Sequence, residues 1–259
     1  MSNTALHAKA TVWACSFLLL APQLQATTLV GIWTKNKITI AADSKVTVYR
    51  GGKIVGSVTA CKIFAVRGLV FALSGLTQEN DIDVIAAVRN APGLNSPATG
   101  RLHPDEALTV AAENALRRIL SARTPSSSAV LPSVGMIVAG AVDGKLVMVH
   151  VEAELRYLGE CCGLDFVVKR VEHSHEYRGE GAKAAEFSGH QQAIARFKST
   201  QPVNWRMGTD LEAARHLVGI EANDSADSQF VGQPVSVIEV TKDGARWLDR
   251  GACAWQPGK

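Results

Sequence analysis

At 259 residues the chain is long enough for one large domain or two small ones, and the 233 residues left without the first 26 suit a single domain with a sizeable core. A formal net charge of +3, scattered without a basic stripe, gives no extended surface for nucleic acid. The five cysteines include Cys15 near the N-terminus and leave Cys61, Cys161, Cys162 and Cys253, with no CxxC pair to hold zinc or to run thioredoxin-type exchange. Adjacent Cys161 and Cys162 are badly placed to bridge each other, while either could reach Cys253 in an oxidising compartment, and spacing alone does not choose.

Residues 1–26 join His7 and Lys9, an apolar run from Thr11 to Ala21 and the polar segment PQLQA, the layout of a cleavable secretory leader. The run is too short for a stable membrane span. Ala26 suits signal peptidase, and a cut after it makes Thr27 the first residue of a domain covering 27–259 and places that domain in the periplasm or outside the cell. The competing reading is a cytoplasmic protein that removes residues 1–26 itself, as a propeptide.

From Thr28 to Trp33 and from Lys37 to Ala42, β-branched residues flank a turn at Lys35 and Asn36, predicting an antiparallel hairpin with Asp43 at its end. A second hairpin is predicted over Val46 to Tyr49 and Ile54 to Val58, turning at Gly51 and Gly52, and two more strands over Lys62 to Val66 and Leu69 to Leu73. Asp81 opens a helical run closed by Pro92 and Gly93, and a helix after Pro104 carries Leu108, Ala111, Ala112, Ala115, Leu116 and Ile119 on one face. Asp143 and Gly144 turn a clear hairpin between VGMIVAGAV and KLVMVHV, and DFVVKRVEHS extends the strands. Helices are predicted over His190 to Lys198 and Asp210 to Ala222, and the chain closes on a hairpin of PVSVIEV and ARWL. This order suits layered antiparallel sheets covered by helices.

An N-terminal threonine would bring a nucleophilic hydroxyl and a basic amine together on one residue. Asp43 alone could be a turn residue and Lys62 an edge-strand charge. Lys62, however, lies between Cys61 and Ile63 in an apolar stretch where a buried ammonium needs a carboxylate, and Asp43 ends an earlier strand of the same sheet. A lysine beside the Thr27 amine would favour its neutral, proton-accepting form. Gly75 could simply be a turn needing positive φ, and Thr47 simple strand content. His173 and His175 share a strand face but have no third ligand, so no metal is expected, and no GxGxxG, Walker or serine-elbow motif occurs.

The segments TTLVGI, ITIAADSKVT, CKIFAV and ALSGLT, in that order and at that spacing, resemble the opening of a bacterial proteasome β-type subunit of the N-terminal-nucleophile (Ntn) hydrolases, most strongly over residues 27–91. The resemblance implies an α+β chain folded as a four-layer αββα sandwich, two antiparallel sheets covered by helices. It implies Thr27 as nucleophile, Asp43 and Lys62 as its charged partners, the Gly75 amide as oxyanion donor and the Thr47 backbone as an aligner of substrate. Ser188, with Gly189, matches the family's serine and glycine near the nucleophile. Asp227 matches its later aspartate, with Phe230 standing where the family's pattern has a serine. The function implied is a threonine-type endopeptidase acting on peptides or unfolded polypeptides inside a homo-oligomeric double ring, with no cofactor. The alternatives are a non-catalytic ring or scaffold subunit of the same fold and an exported amidase of the same chemistry acting on small amides.

Overall fold

The computed structural model describes residues 23–26, 28–50, 53–79, 81–92, 104–121, 133–157, 164–173, 184–189, 191–201, 208–225 and 228–256. Every residue of β2 (Thr28–Trp33) and β3 (Ile38–Asp43) is buried. A strand without an exposed face must be covered on both sides, and the covering elements follow from the alternation of its side chains. Leu29 and Trp33 point into a core shared with Ile137 and Met148 of β9 (Ser133–Val142) and β10 (Lys145–Tyr157). Between them Gly31 keeps the approach close, since a Cβ there would stand 3.0 Å from Met148 Sδ and 3.2 Å from Ile137 Cδ1. Val30 and Ile32 point the other way, onto Ile194 of α3 (Gln192–Thr200) and Ala214, Leu217 and Val218 of α4 (Asp210–Asn223).

β2 and β3 are the centre of a five-stranded sheet ordered β12-β2-β3-β13-β14, completed by β12 (Ala184–Gly189), β13 (Val235–Thr241) and β14 (Gly244–Asp249). The second sheet runs β11-β10-β9-β7-β1-β4-β5, with β1 (Gln23–Ala26), β4 (Lys45–Arg50), β5 (Lys53–Thr59), β7 (Leu69–Glu79) and β11 (Leu164–His173). β6 (Ile63–Val66) and β8 (Ile82–Asp83) also pair with β7. The described pairings are antiparallel throughout, which makes this an α+β fold. On the large sheet, Phe71, Leu73, Met136 and Val149 pack with Val84 and Val88 of α1 (Val84–Arg89) and Leu108 and Ala112 of α2 (Pro104–Ser121). Among the described residues no helix is long and apolar enough to cross a membrane.

The predicted hairpins and helices are all present, with shifted ends. Asp83 rather than Asp81 caps α1, accepting from the Ala86 amide at 3.0 Å, because Ile82 and Asp83 first pair with Glu79 and Gln78 of β7. Besides the two-residue β8, two strands were not anticipated. QLQA and AAEFSG are too short to show a period, and each is held by its neighbours: β1 between β4 and β7, β12 along β2. The cysteine expectation needs correction, because Cys253 bridges Cys61, with Cα atoms 4.6 Å apart. Packing of the C-terminal segment against the start of β6 brings these two together, across a sequence separation of 192. Cys161 and Cys162 lie outside the described residues.

Candidate active site

Asp43 ends β3 with its carboxylate buried, and hydrogen bonds hold both of its oxygens. Oδ1 accepts from the Thr28 amide at 3.0 Å and from Lys62 Nζ at 2.8 Å. Oδ2 accepts from the Lys45 amide at 3.0 Å and the Gly232 amide at 3.2 Å. Lys62 is 3% exposed and also donates to the Lys45 carbonyl. Burial pulls its ammonium below the ordinary lysine pKa, and the facing Asp43 charge opposes that in part. The pair predicted from the sequence is therefore formed, in the low-dielectric setting where an ammonium acts most strongly on neighbouring groups.

The chain passes from the large sheet to the small one across a single residue. Ala26, the end of β1, stands opposite Gly75 of β7, and Thr28, the start of β2, stands opposite Gly189 of β12. Both glycines take positive φ, 79° and 81°, in the left-handed region where a side chain is strained. The residue between, Thr27, lies outside the described residues, as does Asp227. Around that junction the structure brings Asp43, bonded to the Thr28 amide and to Lys62, and Gly75 and Gly189, the register partners of Ala26 and Thr28, with Ser188 next to Gly189.

Ser188 belongs to β12 and is fully buried, and the cap position of α3 falls to Gln191. Its hydroxyl meets Ser74 Oγ at 2.9 Å, and Ser74 Oγ donates to the Gly135 carbonyl at 3.4 Å. Two buried hydroxyls thus satisfy each other between the sheets, immediately beside Gly75. Gly135 makes the arrangement possible, because a Cβ there would lie 1.4 Å from Ser188 Oγ and 2.6 Å from Ser74 Oγ. Gly135→Ala is therefore expected to lower stability by about 3 kcal/mol or more, by overpacking a seam that cannot yield without parting the sheets. Urea denaturation checks this, and a loss below about 1 kcal/mol would show that the seam can adjust. Neither Ser74 nor Gly135 was singled out in the sequence.

Thr47 is buried in β4, opposite Gln25 of β1, with its hydroxyl donating to the Gln229 carbonyl at 3.2 Å. Lys45 Nζ reaches the Ser228 carbonyl at 2.8 Å, and the Ser44 amide the Gly232 carbonyl at 3.3 Å. Main-chain groups of residues 228–232 are thus stitched along the residues from Asp43 to Thr47. His150, on β10, faces Glu186 of β12 with Nδ1 at 3.3 Å. His173 ends β11, and His175 lies outside the described residues. Among the described residues no three His, Cys, Asp or Glu side chains gather to hold a metal.

No family model matches the chain, and no curated protein does. Among solved structures, the helical assembly of the Anbu complex from Pseudomonas aeruginosa contains a chain with a TM-score of 0.47 and 13% sequence identity, covering 82% of this chain and 80% of that one.

Proposed function

We propose that the protein is a threonine-type endopeptidase with an N-terminal nucleophile, in which Thr27 becomes the first residue by cleavage after Ala26. The observation that carries this reading is the place of β1. Gln23–Ala26 pairs antiparallel with β4 on one side and β7 on the other, Gln25 opposite Thr47 and Ala26 opposite Gly75. Removal of the segment leaves a slot with main-chain donors and acceptors on both walls, which an extended peptide fills by strand addition. The bond after Ala26 ends that slot beside the Asp43 and Lys62 pair.

In this reading the Thr27 hydroxyl attacks the substrate carbonyl and its proton passes to the Thr27 amine, which Lys62 holds in the neutral form. The backbone amide at Gly75 takes the developing oxyanion, a donor of the kind whose removal costs about 3 kcal/mol of barrier. The leaving amine is protonated and departs, and water then hydrolyses the ester to regenerate Thr27. Ser188 is assigned to support the nucleophile's end of the site, and Asp227 to approach the Thr27 amine. No cofactor enters this scheme.

The same reading includes the four-layer αββα arrangement, supported by the three separate cores: helices on the large sheet, sheet on sheet, and small sheet on helices. Assembly into a homo-oligomeric double ring is supported by Ile54, Val55 and Val58, three exposed apolar residues on edge strand β5. Export is supported by the Cys61–Cys253 disulfide, a bond that persists in oxidising compartments. The test is an electrophilic peptide probe added to purified mature protein. One equivalent of probe mass on a peptide beginning at Thr27, together with turnover of a fluorogenic peptide, is the expected result; a mature chain beginning elsewhere, or a probe that leaves Thr27 unlabelled, overturns it.

A further inference from the structure

Lys62 is held by more than its ion pair. The residue before it, Cys61, is covalently joined to Cys253, and the carbonyl of the residue after it, Ile63, accepts from Trp255 Nε1 at 2.7 Å. The partner residues both belong to the segment 250–256 that follows β14. Trp255 is itself pinned, its carbonyl accepting from Trp247 Nε1 at 2.9 Å and its ring meeting that of Trp247 edge-on with centroids 4.8 Å apart.

The other end of the segment is fixed on the strand next to Asp43. Val235 is the register partner of Asp43, and Ser236 Oγ donates to the Arg250 carbonyl at 2.9 Å. Gly251, at φ 51°, passes so close that a Cβ would stand 2.9 Å from the Ser236 nitrogen and from the Val235 carbonyl carbon. The segment therefore spans the same gap as the ion pair, from the Asp43 side to the Lys62 side. Anchoring the residues on both sides removes backbone freedom at Lys62, so the ion pair has only the four-carbon stem left to order.

We propose that residues 250–256 act as a strap whose Cys61–Cys253 disulfide positions the Lys62 ammonium, so that the site is competent when the disulfide is formed and slow when it is reduced. The catalytic part of this rests on the peptidase reading above; the positioning part does not. Cys61, Cys253 and Trp255 are positioning residues, acting through Lys62. The switch is chemically closed: a dithiol gives two electrons and two protons, the S–S bond opens to two thiols, and the dithiol closes to a cyclic disulfide. The charged group that faces the Lys62 ammonium from β3 is Asp43, and from β4 it meets the Lys45 carbonyl.

The experiment compares oxidised protein, the same protein reduced by dithiothreitol, and Cys253→Ser, reading the rate at which a lysine-acylating reagent modifies each lysine by peptide mapping. Release of the strap is expected to raise modification of Lys62 by about tenfold, while that of part-exposed Lys37, which precedes β3 at the end opposite Asp43, stays unchanged. On a fluorogenic peptide kcat is expected to fall about tenfold with KM nearly constant, and the acid limb of the pH profile to move up toward the ordinary α-amino value of about 8. Reoxidation restores both. Trp255→Phe, which keeps the disulfide and loses one anchor, is expected to lie between. Lys62 equally protected with and without the disulfide overturns the proposal whether or not the protein cleaves peptides, and a rise shared by Lys37 does so too, since it marks general loosening. Lys62 uncovered in a protein that never turns over peptide leaves the strap standing and sinks the peptidase reading instead.

Discussion

Lys62→Met is expected to remove peptide cleavage, by about 1,000-fold or about 4 kcal/mol of barrier, while leaving the protein folded; Asp43→Ala is expected to unfold it or weaken it by about 3–5 kcal/mol. The asymmetry follows from the hydrogen bonds. Without the ammonium, the Asp43 carboxylate still accepts from the amides of Thr28, Lys45 and Gly232, so three donors keep it satisfied in its buried place. Methionine matches the lysine stem in length and apolar character, and fits a site that is 3% exposed. Without the carboxylate, those three amides lose an acceptor at once and a buried ammonium is left facing the Lys45 carbonyl without its anion. Measured side by side, thermal melting should separate Asp43→Ala from the other two proteins, and turnover should separate Lys62→Met from the parent. A Lys62→Met protein that retains more than about one tenth of the parent activity would remove Lys62 from the chemistry and leave it a structural partner of Asp43.

The ion pair was legible because it joins two local signals, a charge in an apolar run and an acid at a strand end, which burial forces to meet. Asp43 ends a strand of alternating, wholly buried residues, so its carboxylate has no route to solvent, and Lys62 follows a cysteine and precedes an isoleucine that is itself fully buried. The seam of Ser74, Gly135 and Ser188 was not legible to the same degree. Its residues come from three strands in two sheets, and the need for glycine at 135 arises only when the Ser188 hydroxyl arrives there. Cys61 with Cys253 failed for a related reason: spacing treats all pairings alike, and the choice is made by the packing of Trp255 on β6 and Trp247. β1 was hidden by composition. QLQA is four residues, two of them glutamine and none β-branched or aromatic, and its strand character comes from the unfilled edges of β4 and β7 rather than from any propensity of its own.

Thr27→Ala is expected to yield a protein that is cut after Ala26, exported and inert, its peptide turnover lowered by at least about 1,000-fold because no other residue brings hydroxyl and amine together. The cut tests the route of activation. Signal peptidase reads the leader and acts while the chain is still unfolded, so the loss of a hydroxyl at position 27 does not concern it. Self-processing needs the opposite order. The chain would first fold with Gln23–Ala26 seated between β4 and β7, and the Thr27 hydroxyl would then attack the carbonyl of Ala26, so that removing the hydroxyl would leave the strand in the slot for good. The Cys61–Cys253 bond weighs toward export, since it forms where thiols are oxidised. N-terminal sequencing of parent and variant, each from separated periplasmic and cytoplasmic fractions, reads compartment and route together. A periplasmic variant beginning at position 27 is the expected outcome. An uncut variant held in the cytoplasm would reverse it, and would make the antiparallel pairing of Ala26 with Gly75 the pose in which the chain cuts itself.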